Sequence, residues 1–284
     1  MPYLCLLFNA FVWGISWWPL RYLQLQGLHP VWATLVFFLL GGVLVGIARP
    51  QAWRTVVRSP ALWVLGVASG ATNAAFNWGV STGEVVRVVL LFYLMPLWAV
   101  GLAWWLLGER ITPLAMVRVG LALAGALLVL LPDQGGWPAF NGLADWLGLL
   151  GGMGFALTNV MLRRQAAHAP SARAMAMFMG GMVFPALLGV GLFSQGLIPG
   201  WPSFQMAWLW PALALGALFF IANMTLQYGA SRVPVHTTSV VMLTEVVFAT
   251  GSAVWLGGEV LRQAVLAGGT LIMVAALLAT RDEA

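Results

Sequence analysis

Ten stretches of 18 to 22 mostly apolar residues follow one another along the chain, separated by short polar connections. They cover about 3–20, 31–48, 61–80, 86–107, 111–131, 145–162, 172–193, 207–228, 236–256 and 260–279. A helix needs roughly 20 apolar residues to cross the hydrocarbon core of a bilayer, so each stretch predicts a transmembrane helix. Buried helices of a soluble protein would need polar faces to cover them, and none remain. The first stretch lacks a basic leader and a small-residue cleavage site, so it reads as a helix and not as a signal peptide.

The pattern repeats at a spacing of 150 residues. Leu65-Gly66 recurs as Leu215-Gly216, Asn73 as Asn223, Gly79 as Gly229, and Gly108-Glu109 as Gly258-Glu259. Five spans in each half is an odd number, so the second half must enter the membrane from the opposite side. The predicted fold is therefore an all-α integral membrane protein with ten transmembrane helices in two inverted five-helix repeats. Residues 1–131 form the first repeat, 132–144 an extracytoplasmic linker and 145–284 the second. Such doubled proteins place a substrate site between the halves, near the bilayer midplane.

Composition and charge sharpen this picture. Hydrophobic residues make up 61% of the chain and charged ones 7%, which excludes a soluble domain of 284 residues. The basic residues are all arginine. With alternating spans, Arg49, Arg54, Arg58, Arg110, Arg163, Arg164, Arg173, Arg232 and Arg281 fall on one side, against Arg21, Arg87 and Arg262 on the other. That bias puts both termini in the cytoplasm. The arginines are scattered over the loops, so the net charge of +5 reflects topology and not nucleic-acid binding. A single cysteine, Cys5, excludes an intrachain disulfide. The dispersed histidines suggest no metal site, and no phosphate-binding loop or other cofactor motif is present.

Within the spans, Gly66, Gly70, Asn73 and Asn77 share one face of a helix, and Gly216, Phe220, Asn223 and Gln227 repeat that stripe. Carboxamides in hydrocarbon either hold helices together or line a cavity wall. Glu245 lies among apolar residues and shares its face with Met242. A carboxylate there is a proton-titrating or cation-attracting group, or a structural one bonded to its neighbours. Pro96 kinks its span, as a hinge or as a fixed bend. Trp17, Trp78, Tyr93 and Trp98 lie deep enough to stack on a substrate or to pack the core. Arg118 is expected to snorkel to the headgroups rather than form an ion pair. Gly66, Gly70, Gly148 and Gly152 are spaced for close helix packing. No paired acid/base constellation suggests an enzyme, since Glu109 and Glu259 fall on opposite sides of the membrane.

The segment Leu94-Met95-Pro96-Leu97-Trp98-Ala99 through Leu107-Gly108-Glu109-Arg110 resembles the EamA-type drug/metabolite transporters. It is echoed from Thr244-Glu245-Val246 to Gly258-Glu259-Val260, where Val246 replaces the proline and Val260 the arginine. Within that superfamily the chain is similar to the YddG-type bacterial aromatic amino-acid exporters. The resemblance implies ten helices in a bacterial inner membrane, and a central cavity for amino acids or flat organic cations. The expectation is a secondary transporter working by alternating access, with a proton-coupled multidrug cation antiporter as the alternative. Its site residues would be Asn73, Asn77, Trp17, Trp78, Tyr93, Trp98, Asn223, Gln227, Met242 and Glu245, with Pro96 as hinge. A monomer is sufficient, and the partners are a small-molecule substrate and the lipid bilayer.

Overall fold

The structure, a computed structural model, describes residues 1–108, 110–132, 136–203, 205–230, 232 and 241–279, apart from the side chains of Gln227, Ala230 and Ala279. Among the described residues every regular element is a helix. They are α1 (Pro2–Ile15), α2 (Trp17–Leu25), α3 (Pro30–Ala48), α4 (Pro50–Arg58), α5 (Pro60–Thr82), α6 (Val85–Phe92), α7 (Met95–Leu107), α8 (Pro113–Val129), α9 (Leu143–Arg164), α10 (Pro170–Ser194), α11 (Met206–Ala230), α12 (Thr244–Gly257) and α13 (Gln263–Ala279).

Local chemistry sets these boundaries. Proline opens α1, α3, α4, α5, α8 and α10, where its fixed φ suits the first turn and its missing N–H costs nothing. His29 Nδ1 accepts from the Val31 N–H to cap α3, and Thr112 Oγ1 accepts from the Ala115 N–H to cap α8. Gly108 and Gly258 end α7 and α12 in the left-handed conformation, with φ of 71° and 67°, which glycine adopts without strain.

Five helical stretches are individually long and apolar enough to cross a membrane: Pro2–Leu25, Pro30–Ala48, Val85–Leu107, Pro170–Ser194 and Met206–Leu226. Pro113–Val129 and Gln263–Leu278 are shorter apolar helices. The first expected span is longer than the hydropathy pattern indicates, because α1 and α2 follow one another across Ser16. Helix α4 was not anticipated. It is short and amphipathic, with Ala52 and Val56 buried while Trp53, Arg54 and Arg58 are exposed. Arg118 departs from the snorkelling expectation: it is buried on α8, 8% exposed.

The helices meet through glycine. Helix α5 packs against α9 and α10, α3 against α10, and α8 against α13. A Cβ on Gly180 would lie 1.8 Å from the Gly66 carbonyl oxygen, and one on Gly70 would lie 2.2 Å from the Gly180 oxygen. The same holds for Gly148 and Gly152 of α9, whose Cβ atoms would meet the Val88 and Phe92 oxygens at 2.8 and 2.3 Å. Gly125 and Gly268 bring α8 and α13 equally close. Lipid is as apolar as a leucine side chain, so association in a bilayer depends on such close packing.

Gly180→Ala is therefore expected to lower the melting temperature of the purified protein, at a cost of about 1–3 kcal/mol from overpacking. Gly191→Ala is the control: its added methyl meets nothing within 4 Å and should leave the melting temperature nearly unchanged.

Candidate functional site

The fourth apolar stretch is not one continuous helix. It breaks at Tyr93 and Leu94, between α6 and α7. Pro96 sits in the first turn of α7, where a proline is tolerated. The ninth stretch also has a turn, at Leu243, immediately before α12. Leu243 is 150 residues beyond Tyr93, and no proline accompanies it there. The break therefore belongs to both segments, while the proline belongs to one.

The two breaks face each other. Tyr93 Oη donates to Glu245 Oε2 at 3.1 Å, with the Met242 carbonyl oxygen at 3.5 Å. Tyr93 is buried and Glu245 half-buried. Gly14 of α1 presses on the backbone beside them: a Cβ there would lie 2.8 Å from the Glu245 carbonyl oxygen. Gly152 of α9 makes the corresponding approach to Phe92.

Aromatic rings continue from this pair. Phe92 lies 6.0 Å from the Tyr93 ring, 5.5 Å from Phe155 and 4.9 Å from Phe76. Trp13 meets Phe76 edge-on at 6.2 Å and stacks on Phe219 at 4.5 Å. The cluster draws on α1, α5, α6, α9 and α11. Its ring faces are weakly negative and suit aromatic or cationic groups. Glu245 adds a carboxyl group whose charge, when ionised, is felt strongly in apolar surroundings.

The remaining predicted residues divide by position. Asn73 and Asn223 are half-buried, and each donates to the carbonyl one turn back, Ser69 at 2.9 Å and Phe219 at 3.0 Å. Each carboxamide retains its oxygen and a second N–H for other bonds. Asn77 is fully buried and donates to Thr34 Oγ1 at 3.0 Å, so it joins α5 to α3. Trp98 Nε1 is buried without a hydrogen-bond partner among the described residues. Trp17 and Trp78 lie away from the Tyr93–Glu245 pair. Trp17 Nε1 donates to Ser252 Oγ at 2.9 Å, and Trp78 meets His29 edge-on at 4.9 Å. The side chain of Gln227 lies outside the described residues, as do Glu109 and His236.

Three features escaped the sequence reading. Asn9 is fully buried on α1 and donates to the Ala222 carbonyl of α11 at 2.7 Å; a lone asparagine in the first apolar stretch was its signal. The rings of Phe76, Phe92 and Phe219 carried no signal, since phenylalanine is ordinary in a span.

The third is a polar layer at one end of the bundle. Arg87, 2% exposed, places Nε 2.9 Å from both oxygens of Asp145 and Nη2 2.8 Å from Oδ2. Arg87 also donates to the carbonyls of Val129 at 3.1 Å and Ala139 at 2.7 Å. Nearby, Glu259 accepts from the N–H groups of Val85 at 2.7 Å and Val86 at 3.2 Å, capping the N-terminus of α6. Arg21 stands 3.7 Å from the same carboxylate and donates to the Gly83 carbonyl. Arg262 donates to the Leu131 carbonyl at 2.6 Å. A cavity of about 380 Å³ opens beside this layer, lined by Trp78, Glu84, Arg87, Asn141 and Asp145 among others. No group of three or more metal-ligating side chains occurs among the described residues.

Removing one partner of a buried, fully bonded pair strands the other charge. Arg87→Met is expected to destabilise the protein by about 3–5 kcal/mol, read as lost thermal stability in detergent. The double variant Arg87→Met/Asp145→Leu should recover part of that loss, because it strands neither charge.

Comparison with known proteins is consistent along the length of the chain. The sequence model of the EamA-like transporter family matches residues 1–131 and 142–281. An uncharacterized transporter of Archaeoglobus fulgidus is 27% identical over 222 residues, covering 77% of this chain and 75% of the relative. A protein of known crystal structure has the same fold, with a TM-score of 0.61 at 22% identity over 99% of this chain and 96% of that one. The chain belongs to the EamA-like transporter family and is a multi-pass membrane transporter, not an enzyme.

Proposed function

We propose that the protein is a secondary transporter that exports small metabolites, amino acids with aromatic side chains among them, from a bacterial cytoplasm by alternating access. The observation that carries this reading is the Tyr93–Glu245 bond. It joins the two halves at their paired helix breaks, beside rings from five helices. Glu245 would attract the ammonium group of a substrate, Asn73 and Asn223 would bind its polar backbone, and the rings would hold a flat side chain.

The packing supports two inverted halves forming ten crossings. Exchanging the halves maps α1 onto α9, α3 onto α10, α5 onto α11, α6 and α7 onto α12, and α8 onto α13. The α5–α9 contact then answers α11–α1, and α5–α10 answers α11–α3. The α3–α10 and α8–α13 contacts answer themselves. With both termini in the cytoplasm, the polar layer around Arg87 and Glu259 lies outside. Its bonds from Glu259 to α6, from Arg87 to Asp145 and from Arg262 to Leu131 each cross between halves, so it serves as an outer gate in its closed position. The broken spans are where the halves would flex, with Pro96 beside one break. A single chain supplies both halves.

A second reading, a proton-coupled antiporter for flat organic cations, rests on the same carboxylate. In that case Glu245 would exchange protons for drug.

Purified protein in liposomes, given radiolabelled phenylalanine or methyl viologen with and without a proton gradient, separates the two. Phenylalanine transport is the expected result, reduced at least ~tenfold in Glu245→Gln, the worth of one hydrogen bond to a charged group. Transport of methyl viologen alone, and only with the gradient, would replace export with antiport. Wild-type rates in Glu245→Gln at every pH would remove the carboxylate from the mechanism.

A further inference from the structure

An apolar groove of about 370 Å³ runs along the outside of the bundle between α3, α4 and α10. Leu39, Val43 and Gly46 form one wall at helical spacing, and Met175 and Met182 of α10 form the other. Gly42 and Gly46 keep it open by lacking side chains: a Cβ on Gly42 would meet Met182 Cε at 3.0 Å, and one on Gly46 would meet Met175 Cε at 3.6 Å. Leu39 and Val43 are half exposed along it, at 50% and 49%. From Leu39 to the end of α3 at Ala48 the helix rises about 14 Å. That is about the depth of one leaflet, half of a ~30 Å hydrocarbon core.

At its mouth the groove changes character. Trp53 of α4 lines it and is 48% exposed, as an interfacial anchor would be. Arg49 precedes α4 at the same end, and Arg54 and Arg58 lie one turn apart on its exposed side. None of these three arginines has an ion-pair or hydrogen-bond partner for its side chain among the described residues. The apolar face of α4 is already used: Ala52 and Val56 pack with Leu62, Leu65, Met161 and Met175. Helix α4 thus packs its apolar face against the bundle and leaves its arginines exposed.

We infer that this groove is a binding site for one anionic phospholipid, with an acyl chain along α3 and α10 and its phosphate at Arg49, Arg54 and Arg58. A leaflet-deep apolar slot ending in uncompensated cations fits an acyl chain joined to an anion. A soluble anion would leave the slot empty, and a zwitterionic lipid would leave the cations uncompensated.

The test uses the whole protein, purified in detergent, with native mass spectrometry counting retained phosphatidylglycerol against phosphatidylcholine of the same chain length. Attraction to an anionic lipid surface is worth about fivefold for each arginine near it. The wild type should therefore prefer phosphatidylglycerol. The triple variant Arg49→Gln/Arg54→Gln/Arg58→Gln should lose at least ~tenfold of that preference after screening. Gly46→Leu, which fills the slot next to a flexible methionine, should reduce retention of both lipids. Glycerol phosphate, an anion without chains, should neither be retained nor compete. Equal retention of the two lipids by the wild type would overturn the inference. So would an unchanged preference in the triple variant, unchanged retention in Gly46→Leu, or competition by glycerol phosphate. Because the three arginines are exposed, their removal leaves the core intact, and an unaltered melting temperature in lipid-free detergent separates lost binding from lost folding.

Discussion

Helix backbones touching at glycine are the contact on which this fold depends. Between apolar helices in a bilayer there is no water to expel, so adhesion comes from packing and from Cα–H groups lying against carbonyls. The positions where a methyl group would strike a neighbouring backbone also join helices far apart in sequence: Gly66 and Gly70 against Gly180, and Gly148 and Gly152 against the segment from Val88 to Phe92. The second of these supports the site. Gly152 lies against the Phe92 carbonyl, whose bond four residues on would need an N–H that Pro96 lacks. The break at Tyr93 is therefore set into a groove that only glycine provides.

The recurring Gly-Glu pair has a physical reading at its second occurrence, Gly258-Glu259. Gly258 ends α12 in the left-handed conformation, and the next residue, Glu259, is turned back across the bundle to α6. A glycine that stops one helix thus aims a carboxylate at the start of another. At Gly258-Glu259 the pair works as a joint between elements distant in sequence.

Much of the architecture was legible in the sequence because hydrophobic length and a 150-residue echo are properties of single segments. The apolar stretches coincide with helices to within about five residues, except the ninth, whose opening lies outside the described residues, and Tyr93 and Glu245 stand out in the sequence alone. Other features depended on which helices meet. Arg87 counted only as a loop charge, since its partner Asp145 lies 58 residues away across a different contact. Asn77 shares a face with Asn73, yet one turn along that face meets Thr34 of α3, which makes it a tie between helices. Helix α4 was hidden by its length, since nine residues with two arginines fall below any spanning pattern.

The carboxylate cap on α6 ties movement at that end of the bundle to water. While Glu259 is in place, the amide groups of Val85 and Val86 need no solvent. Withdrawing it uncovers donors that hydrocarbon cannot satisfy, so separation there has to proceed together with wetting. Any parting of the helices at that end is therefore coupled, through two backbone amides, to the arrival of solvent.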